Sequence, residues 1–547
     1  MATYYVRADG TAANKGAATS ASSASTSLSI AGYNAETFSA GDIIIISDAG
    51  GVYRAEMNPP SSGTAENHIV HEADGYPVIN GSDLITGWSD QGGNIWTASY
   101  GTQPQQVFID DGFGDRQSTN DLSADGEWYW ESNTLYLYLS TSPNSSVIEG
   151  GARGSGIYAN GRSGLTYRGI EIKKASGSGF RTNDVSHLLL DQMEIEWSWT
   201  FGFLSGGSYD YSDHIIRDCS VHHTGGTGIS YVANSVGTTV SDILVQRNTL
   251  TKCGQYQGMW VGDHGWAGGI KFFGATGGAA YENTIAEKNL IYDTGSPDHG
   301  GGVGVWFDFC MNDGTHPNKI RHNHIYNNYS CGTFMEVSDY VHVYDNLIRG
   351  NGIYNNEGWW YSASVRIDTR VSEPVSNCQT SNHNRVYNNT VIGGPYSLHG
   401  FMGLVINPGT GVELVDNIVK NNIFTGHQNS EMQMLRGADN NPTYGHDNVY
   451  QYNAIEEKDE CIWWNEVKYD SIAAWEAASW VVTDSGTTHS VAITDSPFED
   501  ASTGKYWLAS GSPCAGAGAS LPADFSDGLL AETVWPDGVV LGDRNDY

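Results

Sequence analysis

The chain has 547 residues, and its 27 Lys and Arg against 62 Asp and Glu give a formal net charge of −35. A surface this negative repels phosphate backbones and anionic membranes. We therefore predict that the protein binds neither nucleic acid nor membranes. Glycine contributes 68 residues and charged residues only 16% of the chain. This composition excludes coiled coils and long solvated helices and favours β-structure with many turns.

Residues 1–80 predict an N-terminal cap followed by the first coils of the fold. A short strand begins at Thr3, and Asp42–Ser47 is an apolar strand. No stretch approaches the ~20 apolar residues that a membrane helix needs. Because Met1 and Ala2 run directly into the first strand, we expect them to replace a removed export signal. The predicted location is secreted or periplasmic.

Residues 81–150 predict a small antiparallel β elaboration. Three segments, Leu84–Trp88, Asn94–Thr97 and Leu135–Leu139, alternate or run apolar between Gly, Asn and Asp turns. Such segments are typical of hairpins.

Residues 151–430 contain two recurring phrases. The first is Gly, once Ser, followed by four alternating residues. Its occurrences are Gly228–Val232, Gly269–Phe273, Gly304–Asp308, Gly332–Glu336, Ser364–Asp368 and Gly403–Asn407. The second places an Asn before a pair that ends in an apolar residue. These asparagines are Asn248, Asn289, Asn323, Asn346, Asn389 and Asn422.

Short strands at a regular interval, with Asn at matching turns and no helical period, predict an all-β solenoid, the right-handed parallel β-helix. Successive phrases between residues 269 and 364 are 28 to 35 residues apart, longer than a minimal coil, so we expect long loops on one face. A β-propeller would require antiparallel blades joined by hairpins. Residues 431–547 predict the C-terminal coils and a capping segment, with a short helix at Ser471–Ala478.

Within the first phrase, alternate residues point into the coil and the others point out. In register, one outward column contains three consecutive carboxylates, Asp308, Glu336 and Asp368, preceded by Phe273 and followed by Asn407. The column beside it contains Lys271, Trp306, Phe334, Arg366 and Val405.

Coils stack ~4.8 Å apart, so Asp308 and Glu336 should lie about 5 Å apart, the separation that a retaining glycosidase needs. Carboxyl groups this close favour one ionised and one protonated member. A calcium site and a solvated row of acids are the alternatives. Trp306 and Phe334 are predicted to offer an apolar platform to a sugar, and Lys271 or Arg366 to bind hydroxyls or bias ionisation.

The phrases Gly269–Lys271, Val305–Asp308 and Phe334–Val337, with the His322-Asn323 turn between the last two, resemble the active-site coils of glycoside hydrolase family 120, the β-helical β-xylosidases. The resemblance covers residues 269 to 340. It implies that Asp308 is the nucleophile and Glu336 the acid/base.

Two loops add substrate-binding candidates. His299 precedes the Asp308 strand, and Trp359 and Trp360 follow Gly358 in a run of aromatics before the Asp368 strand. Consecutive aromatics after a glycine suit a rim that stacks on sugars. The alternative is that they pack on a neighbouring loop.

The sequence therefore predicts a retaining glycoside hydrolase acting on a neutral plant-type or marine oligo- or polysaccharide, with β-xylosides among the candidates. The protein is expected to be a monomer that requires no cofactor, with a structural or catalytic Ca²⁺ as an alternative. A calcium-dependent polysaccharide lyase, with Lys271 or Arg366 as the base, is the second hypothesis. The third is a non-catalytic glycan-binding or phage-spike module.

Overall fold

The structure is a computed structural model that describes most of the chain. The exceptions are residues 255–266, 275–277, 297–300, 353–362, 370–379, 394–401, 408–411, 413, 435–446, 465–466, 478–487, 502–504, 523–524 and 526–547. Nearly all the regular structure consists of short strands in long parallel sheets, so the predicted right-handed parallel β-helix is confirmed. No helix in the described ranges has the length and apolar character needed to cross a membrane.

The contacts divide the chain into two units. The first comprises Met1–Ser205, Cys219–Ile229 and Gly254–His264, and the second comprises Gly206–Asp218, Ser230–Cys253 and Gly265–Tyr547. Two strands contain residues of both units. They are Phe203–Gly207 and Ile229–Ala233.

The first unit contains three parallel sheets. Its first sheet has strands Thr3–Arg7, Ile43–Ser47, Ile69–Asp74, Leu165–Arg168 and Leu188–Asp191. Its second has strands Val78–Asn80, Glu171–Lys173, Glu194–Glu196 and Ser220–Thr224. Its third has strands Ser155–Asn160 and Ser178–Asn183. The short helix Ile30–Asn34 begins after Ser29, whose side chain accepts a hydrogen bond from the Gly32 N–H as an N-cap. Four short 3₁₀ helices span Lys15–Ala17, Ala24–Thr26, Asp48–Gly50 and Pro143–Ser145.

A smaller group of strands follows residue 81. They are Ser82–Leu84, Ser89–Asp90, Ile95–Ser99, Val107–Ile109, Gly112–Phe113, Asp115–Arg116, Glu127–Glu131, Thr134–Tyr138 and Ile148–Gly151. All their pairings are antiparallel except that of Asp115–Arg116 with Glu127–Glu131. Trp128, Leu135 and Leu137 are buried in the apolar cluster that these strands share.

A buried histidine lies in the core of the first unit. The His71 Nε2 lies 2.6 Å from the Tyr33 hydroxyl, and its Nδ1 lies 3.2 Å from the Thr166 carbonyl oxygen. The ring stacks on Tyr167 at 4.2 Å. Nδ1–H donates to the carbonyl while Nε2 accepts from the hydroxyl, which suits a neutral imidazole. Burial disfavours the imidazolium and lowers the pKa of His71 to about 3.

We expect this neutral histidine to make the first unit less stable in acid. The unfolded chain binds a proton at His71 below about pH 6.5 and the folded chain does not, so the free energy of unfolding falls by up to about 1.4 kcal/mol per pH unit. Urea unfolding between about pH 4 and 7 should show a shallower dependence for His71→Gln than for the parent. The exposed His316→Gln is the control. Equal slopes for His71→Gln and the parent would contradict the neutral assignment.

The second unit also contains three parallel sheets. Its first has strands Tyr211–Arg217, Thr239–Gln246, Ile285–Glu287, Asn318–Arg321, Val341–Tyr344, Arg385–Tyr387, Ile418–Lys420 and Val449–Gln451, with Ala279–Glu282 and Cys310–Met311 alongside. Its second has Thr249–Cys253, Leu290–Tyr292, His324–Tyr326, Leu347–Arg349, Thr390–Ile392, Ile423–Thr425, Ala454–Glu456 and Val491–Ile493. Its third, called the site sheet below, has Gly268–Gly274, Val303–Asp308, Thr333–Glu336, Val365–Asp368, Met402–Asn407, Ser430–Met434 and Ile462–Trp464.

The C-terminal part of the second unit departs from the parallel pattern. Val467–Tyr469 pairs antiparallel with Ile462–Trp464, and Phe498–Asp500 pairs antiparallel with Lys505–Leu508. The predicted helix is confirmed as Ile472–Glu476, and the Ser471 side chain caps its N-terminus.

The recurring asparagines form a buried ladder between the first and second sheets of this unit. Each side-chain amide donates to the Oδ1 of the asparagine on the next coil, at 2.9–3.0 Å, from Asn248 to Asn453. The same Oδ1 also accepts the backbone N–H of the preceding asparagine, as Asn346 does for Asn323 at 2.9 Å. The ladder satisfies buried turn amides that no sheet hydrogen bond reaches, and it fixes one coil against the next.

Removing one asparagine should destabilise the second unit. Asn346→Ala leaves the buried Asn323 N–H without its acceptor, and unsatisfied buried groups cost about 1–3 kcal/mol each. We expect a loss of about 2–3 kcal/mol in chemical unfolding. The exposed Gln428→Ala removes an amide side chain at the surface and should change stability by less than about 0.5 kcal/mol. Similar losses in both variants would contradict the role of the ladder.

Candidate functional site

The site sheet has the register that the sequence predicts. Asp308 pairs with Glu336, and Glu336 pairs with Asp368. Phe273 precedes this acid column and Asn407 follows it. The three carboxylates therefore occupy one position on consecutive strands, about 4.8 Å apart along the backbone.

The interior side of the same strands packs as expected. Phe272 and Phe307 are fully buried and stack with ring centroids 4.6 Å apart. Met335 and Ile367 continue the apolar stack on the next two strands. The side chains between them consequently point away from the coil interior.

The acid column is buried, although it points out of the coil. Asp308 and Glu336 have no exposed surface, and Asp368 is 5% exposed. The alternative of a solvated row of acids is therefore wrong. Burying a charge without compensation costs several kcal/mol, so each carboxylate here needs a counter-charge, hydrogen bonds or a proton.

Lys271 supplies the first counter-charge. Its Nζ lies 2.8 Å from the Asp308 Oδ2, and Lys271 is itself only 6% exposed. The ammonium stabilises the ionised form of Asp308. Lys271 is in register with Trp306, which lies on the same strand as Asp308. The ion pair between Lys271 and Asp308 therefore joins the two columns and two neighbouring strands.

The column beside the acids is a stack of a cation, two aromatic rings and a second cation. The Lys271 Nζ lies 3.4 Å from the centre of the Trp306 ring, Trp306 and Phe334 stack at 5.4 Å, and the Arg366 guanidinium lies 5.6 Å from the centre of Phe334. Cations over aromatic faces are attracted by the ring quadrupole. The rings are also at most 2% exposed. The ring faces are therefore covered by the two cations and by each other, and contact of a sugar with Trp306 or Phe334 stays a prediction.

Arg366 supplies the second counter-charge. Its guanidinium donates to the Asp368 Oδ2 at 2.8 Å, and the Asn407 side-chain amide donates to the Asp368 Oδ1. Arg366 is fully buried. This network holds Asp368 as an ionised, oriented carboxylate at one end of the acid column.

Glu336 consequently lies between two carboxylates that each hold a cation. The repulsion from neighbours on both sides favours a proton on the central carboxyl group rather than on either end. A divalent cation is the other way to offset three acids, and Ca²⁺ prefers such oxygen ligands. Lys271 and Arg366 already neutralise two of them, which weakens the case for calcium.

Three predicted binding residues lie outside the described part of the chain. They are His299, Trp359 and Trp360, and their proposed contact with substrate stays a prediction.

Two strands of the site sheet, Ser430–Met434 and Ile462–Trp464, lie beyond the last recurring phrase and were not predicted from the sequence. Ser430–Met434 pairs with Met402–Asn407 and places Gln433 next to Val405, so it extends the Lys271 column. The alternation of Met432, Gln433 and Met434 was a signal for this coil. On the same coil, the Glu431 carboxylate lies within hydrogen-bond distance of His427 and Lys458, a buried ionic cluster that no repeat pattern indicated.

A family model described as "Right handed beta helix region" matches residues 130–267. A search of curated proteins finds no match to this chain.

Three solved structures illustrate what this chain is similar to. The complex of XylC with xylose is 14% identical, covers 83% of this chain and 75% of its own, and has a TM-score of 0.48. The GH136 lacto-N-biosidase from Eubacterium ramulus is 13% identical, with coverage of 82% and 68% and a TM-score of 0.43. Pectate lyase Pel9A is 11% identical, with coverage of 91% and 91% and a TM-score of 0.38. Each is a similarity and assigns no activity to this chain.

The buried pair of Arg366 and Asp368 should be strongly coupled. A double-mutant cycle of Arg366→Met and Asp368→Asn, measured by chemical unfolding, should give a coupling energy of about 1–3 kcal/mol, because each single change leaves a buried group uncompensated. The exposed pair of Lys468 and Glu460, with side chains 43% and 48% accessible, is the matched control and should give less than about 1 kcal/mol. Equal coupling energies would show that burial does not strengthen the site pair.

Proposed function

We propose that this protein is a carbohydrate-active enzyme, and specifically a retaining glycoside hydrolase. The observation that carries the proposal is the pairing of Asp308 with Glu336 on adjacent strands, with both carboxyl groups buried and the Lys271 ammonium bound to Asp308. Like positions on adjacent strands lie about 4.8 Å apart, so we expect the two carboxyl groups to lie near the ~5 Å separation that suits a covalent glycosyl intermediate rather than the wider gap of an inverting enzyme.

Asp308 is the proposed nucleophile. A nucleophilic carboxylate must be ionised, and the Lys271 ammonium 2.8 Å away stabilises that form. The backbone of the Val303–Asp308 strand is hydrogen-bonded on both sides, to Gly268–Gly274 and to Thr333–Glu336, so the carboxylate is carried by a rigid element.

Glu336 is the proposed acid/base. Its place between Asp308 and Asp368 favours the protonated form in the resting enzyme. These roles agree with those implied by the resemblance of the coils to glycoside hydrolase family 120.

The chemistry then has two steps. An Asp308 oxygen bonds to the anomeric carbon while the bond from that carbon to the glycosidic oxygen breaks, and Glu336 gives its proton to the departing oxygen. In the second step the Glu336 carboxylate takes a proton from water, whose oxygen attacks the anomeric carbon and releases Asp308. Two inversions give net retention.

The charge of the molecule suggests a neutral substrate. A net charge of −35 repels polyuronates, and the two cations of the site are already paired with Asp308 and Asp368. The lyase hypothesis needs Lys271 or Arg366 as a free base, whereas each of these side chains is engaged in an ion pair with a buried carboxylate. Hydrolysis of a neutral glycan is therefore favoured over elimination.

The test is an incubation with neutral and uronate-containing glycans, in which new reducing ends are compared with the ultraviolet absorbance of unsaturated sugars. We expect reducing ends without absorbance, with the anomeric configuration retained by NMR. Asp308→Asn should abolish turnover. Glu336→Gln should slow cleavage of a natural linkage about 10²–10⁴-fold and slow an aryl glycoside with a good leaving group much less.

The matched control is Asp313→Asn, an exposed carboxylate shortly after the Asp308 strand, which should keep full activity. A 2-fluoro glycoside that traps the intermediate should add its sugar mass to the peptide containing Asp308. Absorbance that requires calcium and is lost in Lys271→Met would instead indicate a lyase. Binding without turnover, unchanged in Asp308→Asn and Glu336→Gln, would indicate a glycan-binding module.

A further inference from the structure

A cluster of two histidines and a glutamate lies in the first unit, on a different sheet from the acid column. Glu194–Glu196 and Ser220–Thr224 are neighbouring parallel strands, and Glu196 pairs with His222. His223 has a left-handed backbone, with φ +55°. Side chains normally alternate along a strand, but here the Nδ1 atoms of His222 and His223 lie only 2.7 Å apart. The two rings therefore present nitrogens to one point.

Three ligand atoms converge there. One atom each from Glu196, His222 and His223 lies within 4.8 Å of the others. The His222 Nδ1 is 3.7 Å from the Glu196 Oε2 and 2.7 Å from the His223 Nδ1. Atoms bound tetrahedrally to one Zn²⁺ at about 2.0–2.1 Å are about 3.3 Å apart. The observed separations bracket that value, so small side-chain rotations suffice to bind an ion.

The surroundings orient the two rings. The other nitrogen of His222, Nε2, lies 3.4 Å from the Glu194 Oε1, which is the carboxylate–histidine arrangement that supports metal-ligating histidines. The His223 ring stacks on Trp197 at 4.4 Å, and Trp197 stacks in turn on Phe113 at 5.9 Å.

The local charge also favours a cation. Glu194 and Glu196 lie beside the histidines. Lys173 is in register with Glu196 on the adjacent strand, and its ammonium lies 3.1 Å from a Glu171 oxygen, so this one ammonium faces three carboxylates. All three candidate ligands are partly exposed, so a hydrated ion can reach them.

We propose that Glu196, His222 and His223 bind one divalent transition-metal ion of the Zn²⁺ type. Two imidazoles and one carboxylate suit Zn²⁺, Cu²⁺ or Ni²⁺, whereas Ca²⁺ and Mg²⁺ prefer oxygen ligands alone. Three protein ligands leave at least one coordination position for water or another ligand. The site is separate from the acid column and does not depend on the proposed hydrolysis. The competing explanation is a simple hydrogen bond between the two imidazoles.

The experiment is a calorimetric titration of the full chain, without an affinity tag and after chelator treatment, with Zn²⁺ and in parallel with Ca²⁺. We expect one Zn²⁺ equivalent that excess Ca²⁺ does not displace. His222→Ala, His223→Ala and Glu196→Gln should each lose that equivalent or weaken it at least about 100-fold, and Glu194→Gln should weaken it about 10–100-fold. Co²⁺ added to the parent should give visible absorption bands that the His222→Ala variant lacks.

Two controls keep the result interpretable. His383→Ala removes a histidine that lies 3.6 Å from Asp416 in the second unit, and it should keep the Zn²⁺ equivalent. Thermal unfolding without metal should show that each ligand variant folds, and Zn²⁺ should raise the melting temperature of the parent but not of those variants. No Zn²⁺ binding by the parent, or an unchanged equivalent in folded His222→Ala and His223→Ala, would overturn the proposal and leave a hydrogen-bonded pair.

Discussion

The register between successive coils is the constraint on which the candidate site depends. In a parallel sheet, hydrogen bonding sets like positions about 4.8 Å apart, so a residue type repeated once per coil becomes a line of neighbouring side chains. The buried asparagine ladder enforces that register from the turn, because each amide bonds both the side chain and the backbone of adjacent coils. The spacing of the acid column is therefore a property of the backbone, and loops of different length can be inserted between coils without changing it.

The same constraint has an energetic cost that the site offsets locally. Stacking Asp308, Glu336 and Asp368 in a buried column would be unfavourable alone. A second column with cations at its ends and aromatic rings between them places Lys271 beside Asp308 and Arg366 beside Asp368. The rings separate the cations from each other, and the cations are held over the ring faces. The outcome is an asymmetric set of acids in which the central one differs electrostatically from its neighbours.

Much of this arrangement could be predicted from the sequence, because both the strand period and the stacking of coils are local rules. The alternation in Val303–Asp308 and Thr333–Glu336 settles which residues face inward, and equal phrase lengths settle the pairing of Asp308 with Glu336. Burial of the column could not be predicted, because the alternation that places a side chain outside the coil does not show whether other side chains cover it. The covering of the aromatic rings could not be predicted either: the sequence places Trp306 beside Phe334, but only the three-dimensional structure shows Lys271 and Arg366 over their faces.

The histidine cluster shows a further limit of arguments from periodicity. Strict alternation places His222 and His223 on opposite faces of a strand, and on that basis neither suggests a partner for the other. His223, a left-handed residue inside the strand Ser220–Thr224, breaks the alternation, and the register places Glu196 beside His222. A single left-handed residue inside a strand is therefore enough for a solenoid to bring together side chains that strict alternation would separate. In such a fold, strand residues with a left-handed backbone merit the same search for chemistry as the outward columns.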